Sequence, residues 1–260
     1  MSDGAFVNWS VSDGIAEIEF YHPKKNSLPR TILSQLARTF DEIADSDQTR
    51  VIVLRSRGDG PFCAGASFDE LLAVRNQEGG REFFMGFARV ILAMVRCPKL
   101  IITRVQGKAV GGGVGLISAS DYVIAHSRSA VKLSELALGL GPFVVGPCVE
   151  RKVGRSEFAA MAVDTEWRDA AWALTKGLYH QVHPEIEELD GAVAKLAGRL
   201  AGSNPEAMAS LKEVIWSGTE DWATTLPRRA AESGRLVVSD FTSRSIDSFR
   251  EKARERRATN

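Results

Sequence analysis

Two stretches of the sequence hold residue types that can do chemistry. The first is Val105-Gln106-Gly107-Lys108-Ala109-Val110-Gly111-Gly112-Gly113-Val114-Gly115-Leu116. An apolar, β-branched run from Leu100 to Val105, broken only by Thr103 and Arg104, precedes the glycines, and Leu116-Ile117-Ser118-Ala119 can continue as a helix. The glycines therefore fall at a strand-to-helix junction. The first N–H groups of a helix have no intrahelical partner and carry the positive end of its dipole, which suits an anion or a developing oxyanion. Glycine also lets another group approach that backbone closely. The same glycines would equally serve tight packing of a helix on a strand. The second stretch is Ser134-Glu135-Leu136-Ala137-Leu138-Gly139, where Glu135 lies in a mostly apolar run between a strand and a Gly/Pro bend. A carboxylate desolvated there would have a raised pKa and could shuttle a proton. The competing account is a charge at an element end that reaches water.

The elements that must position these residues follow from periodicity. Ala5–Val11 and Ile15–Tyr21 alternate apolar and polar residues around Ser12-Asp13-Gly14, which predicts an antiparallel hairpin. After the break at His22-Pro23-Lys24-Lys25-Asn26-Ser27, the spacing of Ile32, Leu36, Phe40 and Ile43 predicts a helix over Thr31–Ala44. Val51–Leu54 is a continuous apolar run expected of a strand covered on both faces. Ser56 to Ala66 is a Gly-rich loop leading to a helix near Phe68, and Phe84, Phe87, Val90, Ile91 and Met94 mark a longer helix that stops at Cys97-Pro98. Tyr122–Ala125 is another short buried strand, and Gly141-Pro142 and Gly146-Pro147 read as bends. Beyond about Glu150 strand-like runs nearly vanish and helix formers dominate: Ser156–Val163, Asp169–Lys176, Ile186–Leu200, Pro205–Trp216, Asp221–Val238 and Ser245–Arg256. The expected organisation is an α/β core over residues 1–195 and a helical C-terminal region over 196–260.

Composition removes several alternatives. Of 260 residues, 33 are Lys or Arg and 33 Asp or Glu, so no excess positive charge is available for general nucleic-acid binding. Cys63, Cys97 and Cys148 are odd in number, widely spaced and without a C-x-x-C pair, which fits a reducing compartment. The N-terminal residues lack a basic and an apolar signal region, and no apolar run approaches the roughly 18 residues needed to span a bilayer, so a cytoplasmic protein without a membrane partner is expected. A dinucleotide fingerprint starting at Gly111 and Gly113 would need Gly or Ala where Leu116 stands, and there is neither a P-loop nor a G-x-S-x-G elbow. His180 and His183 lie three apart in a polar connection before Pro184 and read as surface histidines rather than metal ligands, so no metal is expected.

Three segments in order narrow the possibilities: Phe62-Cys63-Ala64-Gly65-Ala66-Ser67, Val105 to Gly113, and Ser134 to Gly139. Together with His22 to Ser27, Ala173-Leu174-Thr175-Lys176-Gly177-Leu178 and Phe249-Arg250-Glu251-Lys252, they make the chain resemble the crotonase (enoyl-CoA hydratase/isomerase) family over nearly its full length. The resemblance implies a spiral of ββα units with a trailing helical region, assembled as a homotrimer or a dimer of trimers that binds acyl-CoA. It also implies that Ala66 and Gly112 supply the backbone N–H groups of an oxyanion hole for the thioester carbonyl, and that Glu135 is the proton-transfer group. Lys24, Lys25, Ala64, Phe249 and Lys252 match positions that contact coenzyme A, which enters as part of the substrate and not as a cofactor.

Departures from the family pattern matter as much. Hydratases of the family usually carry two glutamates; Glu135 matches the second, and Gly115 stands at the first. Water addition needs a base on the water and a proton at Cα, whereas a double-bond shift needs one group that takes a proton from one carbon and returns it to another. Overall resemblance favours hydratase, and the lone carboxylate favours isomerase. Further alternatives are decarboxylation or dehydration of an acyl-CoA, or acyl-CoA binding without catalysis. Phe143 stands where the dienoyl-CoA isomerase branch has an acid, and with Val144 and Val145 it reads as an apolar pocket wall or as core. Ser67, where the family commonly has Asp, is expected to alter a loop-anchoring hydrogen bond.

Overall fold

The computed structural model describes residues 4–258, without the side chains of residues 249, 250 and 252–258. It opens with the expected hairpin: β1 (Phe6–Ser12) pairs with β2 (Ile15–Tyr21), and the turn residues Asp13 and Gly14 have φ of 51° and 78°, the geometry that matches the twist of paired strands. α1 (Arg30–Ala44) begins directly after Pro29 and buries Ile32, Leu36, Phe40 and Ile43 along one stripe. β3 (Val51–Ser56) follows. α2 (Phe68–Ala73) is capped by the Ser67 hydroxyl, which accepts from the Glu70 N–H, so Ser67 anchors this loop. α3 (Gln77–Arg96) is capped by Asn76 and ends before Cys97-Pro98. β4 (Leu100–Val105), β5 (Ala109–Val110) and α4 (Gly112–Ser118) hold the glycine stretch. β6 (Tyr122–His126) and β7 (Ala130–Lys132) precede a single 3-10 turn, Leu136–Leu138. The rest of the chain comprises α5 (Gly146–Val153), α6 (Arg155–Asp164), β8 (Arg168–Asp169), α7 (Ala170–Thr175), β9 (Gln181–His183), α8 (Ile186–Ala201), α9 (Pro205–Trp216), α10 (Trp222–Val237) and α11 (Asp240–Ala258).

The described strands form a six-stranded sheet in the order β1-β2-β3-β4-β6-β9, parallel from β2 onward, and a three-stranded sheet in the order β5-β7-β8. Successive units place one strand in the large sheet, make a short pairing in the small layer, and then enter a helix. β4, β5 and α4 form one such unit and β6, β7 and α5 the next; in the two earlier units the small layer is reduced to single bridges, Leu28 with Ala66 and Cys63 with Ala109. This is the expected α/β spiral of ββα units, with helices making up most of the chain after β9.

Alternation along the strands serves two cores. Ile52, Leu54, Ile101 and Val105 join the main cluster with α1, α3 and α4. Val51, Val53, Ile102 and Ile124 face the other way and are covered by Leu189, Val193, Leu196 and Ala197 of α8. Residues 195 and 196, where the two regions were expected to meet, therefore fall inside a helix that covers the sheet. α9 is held by a buried ion pair: Lys212 Nζ lies 2.9 Å from Asp121 Oδ2, with side chains 3% and 4% exposed. Each charge has further partners, since Lys212 also donates to the Lys99 carbonyl, and Asp121 accepts from Trp216 Nε1 and the Ile101 N–H.

Three expectations are corrected. The region after Glu150 contains two strands, β8 and β9, each too short and too polar to produce an alternating pattern. Gly146-Pro147 is not a bend but the first turn of α5, where proline's missing N–H costs nothing. His180 and His183 are half-buried, not surface residues: they flank and end β9, His180 stacks on Tyr122 with ring centroids 4.4 Å apart, and its Nδ1 accepts from the Val123 N–H. Burial, with the nearby Lys152 charge, pushes the His180 pKa down to about 4. No described helix is long and apolar enough to cross a membrane.

Candidate active site

Three backbone segments are laced together beside the small sheet. The Cys63 N–H donates to the Lys108 carbonyl at 3.2 Å, the Val110 N–H to the Cys63 carbonyl at 3.0 Å, and the Gly111 N–H to the Lys132 carbonyl at 2.9 Å. These bonds bring Ala64–Ala66, Val110–Gly112 and Lys132–Glu135 to one cavity of about 530 Å³. Gly65 has a φ of 88°, and a Cβ there would lie 2.9 Å from the Val110 carbonyl oxygen, so the close approach of the first two segments requires glycine.

Ala66 and Gly112 both line this cavity. Among the described residues neither of their N–H groups has a hydrogen-bond partner in the protein. Gly112 is the first residue of α4, so its N–H is one of the donors a helix start leaves unused. The two expected oxyanion donors are thus unengaged, on residues that line the same space. Such donors stabilise charge that grows in a transition state.

Glu135 lies beside them. A Cβ at Gly111, where φ is 51°, would lie 2.9 Å from Glu135 Oε1, so the carboxylate rests against the bare α-carbon of the residue before Gly112. Its Oε2 is shut off from solvent and has no hydrogen-bond partner. Burial pushes the pKa up to about 7, against a smaller downward pull from the N–H groups of Glu135 and Ser134. The sequence left a solvated charge as an alternative; the structure gives a desolvated acid poised near neutrality.

The rest of the wall is apolar. Phe68, Phe83, Phe84 and Phe87 come from α2 and α3, and Phe143 and Val145 from the loop before α5. Phe143 therefore lines the pocket, one of the two alternatives the sequence left open. The Phe87 ring covers the Gly112 α-carbon so closely that no Cβ could be placed there, and at Gly115 a Cβ would lie 2.6 Å from Val145 Cγ1. Helix α10 reaches the cavity through Ser233 because α3 and α10 cross at Gly80 and Gly234, whose Cβ-less backbones are in contact. Lys132 and the partly exposed Trp167 also line the space, with the Lys108 ammonium 4.9 Å from the Trp167 ring centre. The buried thiol of Cys63 is pushed up to about 12, so it is not a nucleophile at neutral pH.

The expected coenzyme-binding residues are spread more widely. Ala64 lines the cavity and its N–H donates to the Lys25 carbonyl at 3.1 Å, which ties the Lys24-Lys25 turn to the pocket's edge. The Lys24 and Lys25 side chains are exposed and do not line the cavity, and Lys24 is ion-paired with Asp69. The side chains of Phe249 and Lys252 lie outside the described residues. Sequence reasoning missed Phe83, Lys132, Trp167 and Ser233 as pocket residues and took Phe84 and Phe87 only as helix-core positions. The signal for Phe83 and Phe84 was their adjacency, which puts aromatic rings on more than one side of α3.

The chain is similar to known proteins over nearly its whole length. The family model described as enoyl-CoA hydratase/isomerase matches residues 10–257. A relative from Bacillus subtilis (strain 168) described as "Probable enoyl-CoA hydratase" is 27% identical over 95% of this chain and 96% of its own. The mitochondrial methylglutaconyl-CoA hydratase of Mus musculus is 29% identical over 88% of this chain and 74% of its own. Among solved structures, an enoyl-CoA hydratase from Bacillus halodurans superposes with a TM-score of 0.87 at 19% identity, over 93% of this chain and 99% of that one.

Proposed function

Because this chain belongs to the enoyl-CoA hydratase/isomerase family, we propose that it acts on acyl-CoA thioesters through an enolate whose oxygen is held by the Ala66 and Gly112 N–H groups while Glu135 moves the proton. The observation that carries this reading is the desolvated Glu135 carboxyl, with Oε2 shielded and without a partner, on the wall of the cavity that Ala66 and Gly112 also line.

Loss of a proton from Cα turns the thioester carbonyl into an enolate, and its charge collects on the oxygen. Each donor aimed at that oxygen is worth a few kcal/mol in the transition state, about 3 by the usual measure of one oxyanion-hole donor. Glu135, near its midpoint at neutral pH, can serve as base in one half of the cycle and acid in the other. Moving a proton between carbons transfers no electrons to a second molecule, so the scheme calls for no redox cofactor. Lys24, Lys25, Ala64, Phe249 and Lys252 would hold the coenzyme A portion, and a homotrimer or dimer of trimers is the assembly in which we expect it to work.

With one carboxylate, the reaction best supported is migration of a double bond: Glu135 takes a proton from Cα of a 3-enoyl thioester and returns it to Cγ. The second reading, addition or removal of water, is supported by relatives whose names are those of hydratases. The test is Glu135→Gln assayed with a 3-enoyl-CoA and with crotonyl-CoA. Turnover of the preferred substrate should fall by about 10² to 10⁴, the usual worth of a general acid or base, while a saturated acyl-CoA still binds. Unchanged turnover removes Glu135 from the mechanism.

A further inference from the structure

Gly111, Gly112 and Gly115 lie on one side of the start of α4, because positions three and four apart share a helix face. Each bare α-carbon meets a different group of the cavity wall: the Glu135 carboxylate at Gly111, the Phe87 ring at Gly112, and the Val145 isopropyl at Gly115. Two of the three are apolar. The contact at Gly115 leaves no slack, with Val145 Cγ1 at 2.6 Å, Val145 Cβ at 3.1 Å and Ile91 Cδ1 at 3.8 Å from the place a Cβ would take.

Val145 is also held from behind. It is 4% exposed, its carbonyl accepts from the Val149 N–H at 3.1 Å and from Cys148 Sγ at 2.9 Å, and a β-branched side chain has few rotamers to move into. The isopropyl group is therefore a fixed part of the wall, one helical turn along α4 from the carboxylate's contact.

We infer that Val145 determines the outcome of the reaction, by closing the one stretch of the α4 wall where a second proton-transfer group or an attacking water could stand. The inference rests on Glu135 as proton carrier. With the wall closed, the Cα–H bond breaks, its proton goes to the Glu135 carboxylate, the electron pair delocalises onto the thioester oxygen, and the same proton then forms the Cγ–H bond. No bond to oxygen is made, and the carboxylate is regenerated. With the wall open, a water oxygen bonds Cβ of a 2-enoyl thioester, one of its protons is lost to a base, and Cα gains a proton, so that one water is added overall.

The test uses the full chain with Val145→Ala, which opens the wall, and Val145→Ser, which opens it and offers a hydroxyl to a water. Bond migration run in D2O and read by NMR gives the fraction of product carrying deuterium at Cγ. Absorbance of crotonyl-CoA gives the rate of water addition for comparison with migration. The parent should transfer mainly protium, and both variants should raise the deuterium fraction and lift the ratio of water addition to migration by about tenfold or more. If Val145→Ala fails to fold, Val145→Ser alone decides. A deuterium fraction and a ratio equal to the parent's in every folded variant overturn the inference, as does a parent that adds water as readily as it moves the double bond. Failure of the Glu135 reading shows separately, as parental migration by Glu135→Gln with Val145 in place.

Discussion

The Glu135 carboxylate should make the protein less stable as pH rises, and replacing it with glutamine should remove that dependence. Its pKa is near 4.5 in an unfolded chain and about 7 in the fold. The folded state therefore holds the proton over a window in which the unfolded state releases it, so stability is highest below about pH 4.5 with respect to this group and is lost progressively up to about pH 7. At about 1.4 kcal/mol per pH unit the full loss is about 3.5 kcal/mol, an upper value because the residue is only half-buried as a whole. Glutamine has nearly the same shape and no charge. Its buried amide adds an offset that does not depend on pH, and every other titrating group cancels between the two proteins. Urea unfolding of the parent and of Glu135→Gln should then differ by an increment that is about 0.7 kcal/mol at pH 5 and about 3 kcal/mol at pH 8, with the variant gaining, measured from the offset at pH 4. A difference that stays flat from pH 4 to pH 8 would refute the account, because it would mean that the carboxyl is solvated in the fold or ionises normally there.

Two further outcomes follow from the same structure. For double-bond migration the working form of Glu135 in the free enzyme is the carboxylate, so kcat/KM should rise through about pH 7 and then level off; a profile that falls across that range would assign the opposite protonation state to the reacting enzyme. Lys212→Met leaves Asp121 charged and buried without its cation, and should cost about 3 to 5 kcal/mol in urea unfolding even though it is remote from the cavity, whereas a loss below about 1 kcal/mol would mean that the pair is hydrated.

The large sheet apart from β9, and helices α1 and α3, were legible because each writes a periodic or a continuous apolar signal. β3 and β4 are continuous apolar runs, since main core and α8 bury opposite faces of the same strands, and α1 repeats its apolar residues at helical spacing. β8 and β9 left no such trace: two or three polar residues pair only because neighbouring strands present an edge to them. His180 illustrates the same limit. Its burial comes from Tyr122 and the Val123 N–H, 58 and 57 positions away, and nothing local distinguishes it from a surface histidine. The carboxylate and the glycine N–H groups were legible as residue types after a strand and at a helix start, while Ala66 was legible only through the family resemblance. Their sharing of one cavity was not, because it depends on the Cys63, Val110 and Gly111 backbone bonds, which span between 21 and 47 residues.

The glycine stretch shows most plainly what a motif leaves open. In the sequence Gly111, Gly112 and Gly115 look equivalent, three small residues at a helix start. In the fold each is small for a different neighbour: a carboxylate, an aromatic ring and an isopropyl group. A bare α-carbon only grants access; the chemistry depends on which side chain uses it. Gly111 admits Glu135, the acid proposed as the proton carrier. Gly115 could have been read as a missing acid, but the space beside it is taken by Val145, so adding a carboxylate there without removing the isopropyl would meet a steric clash rather than complete a pair. Residues 115 and 145 therefore behave as one unit, and substitutions at the two should be strongly non-additive, as expected for side chains in direct contact.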